Sequence, residues 1–174
     1  VGAFQDGSGL TSIKIPDGVT SIGIQAFGDC HLRRITLPDN LTKIGIRAFE
    51  GCKLLANVKI PDNVTTIGEC AFFGCGLICV EIPAAVTSIG GGAFGCSELT
   101  SITIDDQNST YYDKDNCIIE GATKILIAGC SSSVIPKDGS VTSIGDRAFS
   151  NCNVTSIEIP ENVTSIGDDA FSGC

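Results

Sequence analysis

The chain has 174 residues, 43% of them apolar and 18% charged, a composition that suits one ordered core. No apolar stretch approaches the roughly 20 residues a helix needs to cross a bilayer, so membrane insertion is excluded for this segment. The formal net charge is -9 and the eleven Lys and Arg are scattered, so the basic stripe that nucleic acid requires is missing and the acidity serves solubility.

The chain opens at Val1, contains no Met and shows no signal-like stretch, and is expected to be a piece of a longer polypeptide. Its organisation is a repeat. The first element is an Ala3-Phe4 pair, followed by Leu10-Thr-Ser-Ile-Lys-Ile-Pro16 and then Val19-Thr-Ser-Ile-Gly23. The last of these recurs as Leu41-Thr-Lys-Ile-Gly45, Val64-Thr-Thr-Ile-Gly68, Val86-Thr-Ser-Ile-Gly90, Val141-Thr-Ser-Ile-Gly145 and Val163-Thr-Ser-Ile-Gly167, usually 22 or 23 residues apart. A fixed period in this range is the signature of a solenoid. The whole unit reads LxxIxIPxxVTxIGxxAFxxCxx.

Within each unit, LxxIxI alternates apolar and polar residues with the period of a strand, so Ile13 and Ile15 point inward and the residues between them outward. Stacked units make these strands neighbours in a parallel sheet, each repeat covering the apolar edge of the one before. The following Pro (Pro16, Pro38, Pro61, Pro83, Pro136, Pro160) has no amide hydrogen and ends the strand. The Gly of VTxIG implies either a positive φ or a backbone approach too close for a Cβ. The Thr column at Thr20, Thr42, Thr65, Thr87, Thr142 and Thr164 suits a second short extended segment with stacked hydroxyls. Ala-Phe-x-x-Cys is expected to be a single 3₁₀ or α turn that drops Phe into the core.

The rhythm fails between Ile104 and Ile135. Cys117-Ile-Ile-Glu120 and Lys124-Ile-Leu-Ile-Ala128, joined through Gly121-Ala122-Thr123, read as a β-hairpin bulging from the solenoid wall. The expected organisation is therefore one solenoid over 1–174, with repeats at 1–104, an irregular hairpin insertion at 105–135, and repeats at 136–174. Tyr111 and Tyr112, the only tyrosines, stand at the start of the insertion. They read either as a partner-binding hot spot or as cover for the hairpin edge.

Six of the ten cysteines (Cys30, Cys52, Cys75, Cys96, Cys152, Cys174) share one inward repeat position. Side chains in one column point the same way, which disfavours bridging, and free thiols behaving as small apolar groups are expected. Cys70 and Cys79 occupy positions expected to face outward. With Cys75 they lack the paired spacing and fourth ligand of a metal site, so no metal and no cofactor is expected. Cys117 and Cys130 flank the hairpin in a register that opposes a bond. His31, the only histidine, lies beside the inward Cys30, and no acid-base or nucleophile constellation marks an enzyme. Five Asn-x-Ser/Thr sequons, at Asn40, Asn63, Asn108, Asn153 and Asn162, arise largely from the repeat pattern.

The composite of Ile-Pro, VTxIG and AFxxC elements, over nearly the whole chain, resembles the BspA-type leucine-rich repeats of bacterial and protozoan surface proteins. The resemblance implies a right-handed solenoid on a cell surface or outside the cell, an adhesion role, and no catalytic residues.

A protein partner is expected on the outward face of the LxxIxI sheet, where residues vary while inward ones do not. One column holds Ser12, Arg34, Asn57, Cys79, Ser101 and Ser156, and another Lys14, Thr36, Lys59, Glu81, Thr103 and Glu158. The candidate contact residues are Ser12, Lys14, Arg34, Thr36, Asn57, Lys59 and Glu81 on the sheet, with Tyr111 and Tyr112 in the insertion. With Arg33, the early coils are basic on this face, and Glu81 and Glu158 make the later part acidic. The alternative is a passive structural spacer that carries other domains of a larger surface protein.

Overall fold

A computed structural model describes all 174 residues. Thirteen short strands and no helix build about seven stacked coils. They are β1 (Ser12–Lys14), β2 (Ser21–Ile22), β3 (Arg34–Thr36), β4 (Lys43–Ile44), β5 (Thr66–Ile67), β6 (Cys79–Ile82) and β7 (Ser88–Ile89). There follow β8 (Ser101–Ile104), β9 (Tyr111–Lys114), β10 (Cys117–Glu120), β11 (Ile125–Ala128), β12 (Ser143–Ile144) and β13 (Ser165–Ile166).

The more continuous wall is the one written by VTxIG, in which β2, β4, β5 and β7 form a parallel sheet with Ile22, Ile44, Ile67 and Ile89 in register. The Thr hydroxyls do stack between coils, each donating to the Thr carbonyl of the coil before: Thr42 to Thr20 at 3.0 Å, Thr65 to Thr42 at 3.2 Å, Thr164 to Thr142 at 3.2 Å. The LxxIxI wall is split into two parallel pairs, β1 with β3 and β6 with β8. The third coil's segment, residues 57–60, forms no strand between them.

From Gly45 onward the Gly of VTxIG acts through close approach and not through its φ, whereas Gly23 on the first coil faces open space. A Cβ on Gly45 would meet the Ile22 carbonyl oxygen at 2.7 Å, and one on Gly68 the Ile46 nitrogen at 2.6 Å. The left-handed residue comes two positions later, at Gln25 (φ 52), Arg47 (φ 55), Cys70 (φ 53) and Arg147 (φ 55). That conformation corrects the expected 3₁₀ or helical turn: a residue at positive φ just before Ala-Phe breaks the run of right-handed dihedrals, and the corner is a plain turn. It still delivers Phe to the core. Phe4, Phe27, Phe49, Phe72 and Phe94 form a stack with centroids 5.0 to 5.8 Å apart and rings within 10° of parallel.

Beside this stack the thiols form a ladder. Cys52 donates to the Phe27 carbonyl at 3.1 Å, Cys75 to Phe49 at 3.0 Å and Cys96 to Phe72 at 3.0 Å. All ten cysteines are free. Cys70 departs from the outward placement expected of it: it is buried, because Arg147 lies over the side-chain-free notch at Gly92 and covers the short thiol.

The interruption is a three-stranded antiparallel meander, one strand more than the expected hairpin, in the order β9-β10-β11. It does not bulge from the wall. Cys117, Ile118 and Ile119 of β10 are fully buried, while β11 pairs in parallel with β12. At its other edge, the Asp113 carboxylate accepts the N–H of Ile104 at 3.0 Å and the Asn116 side chain that of Ile102 at 3.4 Å, so these side chains take the place of a strand beside β8. The meander thus runs through the interior from one wall to the other.

Candidate functional site

The outward face of the LxxIxI wall follows from strand alternation. In β3 and β6 the burial alternates residue by residue, with Ile35, Val80 and Ile82 inside and Arg34, Thr36, Cys79 and Glu81 outside. Parallel pairing sets Ser12 beside Arg34 and Lys14 beside Thr36 on the first two coils. Asn57 and Lys59, on the irregular third coil, are also exposed.

Four of the expected contact residues and neighbours converge where the wall is split. Asn57, Lys59, Cys79 and Glu81 line a shallow depression of about 310 Å³, with Asp62 and Asp105 at its rim. The two aspartates were not anticipated from the sheet columns. Their signal was present in the sequence, since each lies one or two residues beyond the end of an LxxIxI segment, where the chain turns but still edges the same face. Ile78, half exposed one residue before Cys79, was also missed.

Charge is divided along this face. Lys14, Arg33, Arg34 and Lys59 occupy the early coils, and Glu81 and Asp105 the middle ones. At the far end Lys137 pairs with Glu158 at 2.7 Å, which partly neutralises the last acid of the column.

The tyrosines separate. Tyr112 is 37% exposed on β9, its hydroxyl donating to the Ser140 carbonyl at 3.4 Å. Tyr111 is only 4% exposed, and its hydroxyl accepts the N–H of Ile89 at 3.1 Å. Its ring is therefore core and is withdrawn as a surface contact: β7 ends its sheet, and a phenol fills the place where a next strand would bond.

Among the core thiols Cys52 alone is lowered, chiefly by its hydrogen bond with the Cys75 thiol. Burial pushes Cys96, Cys117 and Cys152 up to about 12, and it raises Cys30 as well. No group of three or more His, Cys, Asp or Glu side chains is arranged to hold a metal, and no helix is long and apolar enough to cross a membrane.

The repeat geometry described above agrees with one family profile, the BspA type leucine rich repeat region, which matches in six copies over residues 1–113 and 127–174. The chain belongs to the BspA-type leucine-rich-repeat family. The residues left outside the match, 114–126, contain β10, so the part of this BspA-type chain that departs from the family pattern is the middle of the meander.

Solved structures agree in fold. A leucine-rich repeat protein of Eubacterium ventriosum is 28% identical with a TM-score of 0.87, covering 98% of this chain and 47% of its own. A leucine rich cell surface protein of Faecalibacterium prausnitzii is 31% identical with a TM-score of 0.73, covering 97% and 54%. The pneumococcal vaccine antigen PcpA, at 20% identity and a TM-score of 0.77 over 94% of this chain and 48% of its own, shares the fold. The BspA-type chain spans about half the length of these solved relatives. No curated protein matches it.

Proposed function

We propose that this BspA-type solenoid is a surface-displayed or extracellular module that binds a protein partner, with an adhesive role, through the outward face of its LxxIxI wall. The observation that carries the reading is the contrast along that wall: inward positions repeat Ile, Val or Leu, while the exposed ones change from coil to coil and divide by charge. A solenoid fixes its core positions and leaves the outward columns free to be shaped by a ligand. Membership of a family of bacterial repeat proteins, and a neighbour described as a cell surface protein, support the surface location.

The reading gives the chain no catalytic role. His31 is exposed, and its neighbour Cys30 donates to the Phe4 carbonyl at 2.9 Å with its thiol held in the protonated form. The wall carries few aromatic side chains, so affinity would come from charge and shape spread over several coils.

The test is a binding array of extracellular matrix and cell-surface proteins probed with the parent chain and with Arg34→Glu and Lys59→Glu. Loss of about tenfold or more in affinity for a bound protein on either reversal is the expected result, since truncating or reversing interface charges costs binding directly. Unchanged binding removes this face, and no binding to any member favours the spacer.

A further inference from the structure

We propose that the β9–β11 meander is a septum that divides the solenoid into two cooperative units, residues 10–130 and residues 135–174, held together at one corner by a clasp between Arg147 and Glu69. In a regular solenoid each coil shares its apolar side chains with the next, and this shared surface makes neighbouring coils melt together. Here the sharing stops at β10.

Successive side chains of a strand point to opposite faces. Ile118 joins a core of 35 buried residues with the early coils, while Cys117 and Ile119 join a separate core of nine with Leu126, Ile135, Val141, Ile144, Ala148, Phe149 and Ala170. Both faces of the strand are buried, but in different cores. The other longitudinal features break at the same place. The stack of Phe rings ends at Phe94 and resumes as the pair Phe149–Phe171. Between them the Phe position is taken by Gly129, whose N–H donates to the Ala148 carbonyl as a Phe does elsewhere, and a Cβ there would lie 2.0 Å from the Phe149 ring. The VTxIG sheet also stops at β7, where Tyr111 takes the Ile89 N–H, and resumes only at β11 with β12.

Two side-chain hydrogen bonds link residues 1–104 directly to residues 135–174. Asn151 donates to the Gly95 carbonyl at 3.3 Å, and Arg147 reaches across Gly92 to Glu69, 78 residues earlier. The insertion makes this reach possible. Its coil lacks the Ala-Phe corner, so the turn of Gly145 to Asn151 seats directly on that of Gly90 to Gly95: a Cβ on Gly91 would touch the Asp146 carbonyl at 2.9 Å, and one on Gly95 the Ser150 carbonyl at 2.6 Å. The late unit therefore docks on the far face of the septum, where β12 pairs with β11 and the Gly145 N–H donates to the Leu126 carbonyl at 2.9 Å, and its only direct side-chain bonds to the early coils are the polar contacts at the corner. It is built to open as one piece, while the sheet face over the early coils stays folded.

Native-state hydrogen exchange on the intact 174-residue chain, followed by mass spectrometry across a denaturant series, tests this. Amides of residues 141–174 should lose protection together, at lower denaturant and roughly tenfold or more faster than those around Ile44 and Ile67. Glu69→Gln, a change made in the early unit, should speed exchange in 141–174 by about two- to fivefold, the scale of a partly exposed ion pair, and leave residues 20–104 unchanged. A single opening that merges all amides overturns the septum, and a Glu69→Gln effect that is absent or equal throughout overturns the clasp.

Discussion

The hydroxyl of Tyr111 accepts the backbone N–H of Ile89 at 3.1 Å inside the protein, and so closes the last strand of a sheet with a side chain. Tyr111→Phe leaves that N–H buried without a partner and should cost about 1–3 kcal/mol in chemical denaturation. Tyr112→Phe removes only an exposed 3.4 Å contact and should stay within about 0.5 kcal/mol of the parent. Equal effects from the two substitutions would contradict the assignment of the pair.

The glycines at the end of VTxIG should differ sharply in tolerance, although they are identical in sequence. Gly68→Ala drives a Cβ to within 2.6 Å of backbone and should destabilise by about 1–3 kcal/mol, the scale of an overpacked site. Gly23→Ala meets open space and should be neutral or stabilising by up to about 1 kcal/mol. Thermal melts of the two single variants check this, and similar losses in both would argue for a conformational role of the glycine instead.

Thiol labelling of the folded chain should be selective. Cys79 and Cys174 are exposed and the other eight are buried, so iodoacetamide under native conditions should modify these two, with all ten reacting after denaturation. Rapid native labelling at Cys52 or Cys75 would mean that the thiol-to-carbonyl ladder is open.

Stability should fall in alkali. Cys96, Cys117 and Cys152 ionise only near about 12 when folded, whereas 9.0 is the ordinary value. Above the ordinary value the unfolded chain has released protons that the folded chain still holds, so unfolding gains as pH rises. The contribution is therefore complete below about 9 and lost progressively between there and about 12. The urea midpoint should decline over this window, and Cys152→Ala should shallow the slope. A parent midpoint that is flat in alkali would refute the effect.

The repeat made most of the fold readable, because one unit written six times tells inward from outward positions by repetition alone. Phe, Cys and Thr columns follow from the period. The corner conformation was less accessible: Gln25, Arg47, Cys70, Gly92, Arg147 and Asp169 share a positive φ, but only one of them is a glycine, and the varied side chains of the rest hide the common backbone. Cys70 looked outward for the same reason, since its cover is Arg147 from a coil 77 residues later, a contact that exists only because the intervening coil skips its corner. The meander was half readable. Cys117 to Ile119 is a continuous apolar run, the mark of a strand buried on both faces, but its passage through the interior depends on two cores that the local sequence does not name. On the candidate face, strand alternation located the columns, and the rim acids Asp62 and Asp105 lay outside the period used to find them.

The Cys-to-Phe carbonyl ladder has a consequence for how such a chain changes over generations. Every rung joins one coil to a near-identical neighbour, so a coil gained or lost by unequal recombination within the early repeats would find the same ring, thiol and carbonyl waiting on either side. The length of the LxxIxI wall can then be edited in whole steps of about 4.8 Å without redesign of the core. The septum sets the boundary of that freedom, because there Gly129 takes the Phe position and leaves the room that the Phe149 ring fills.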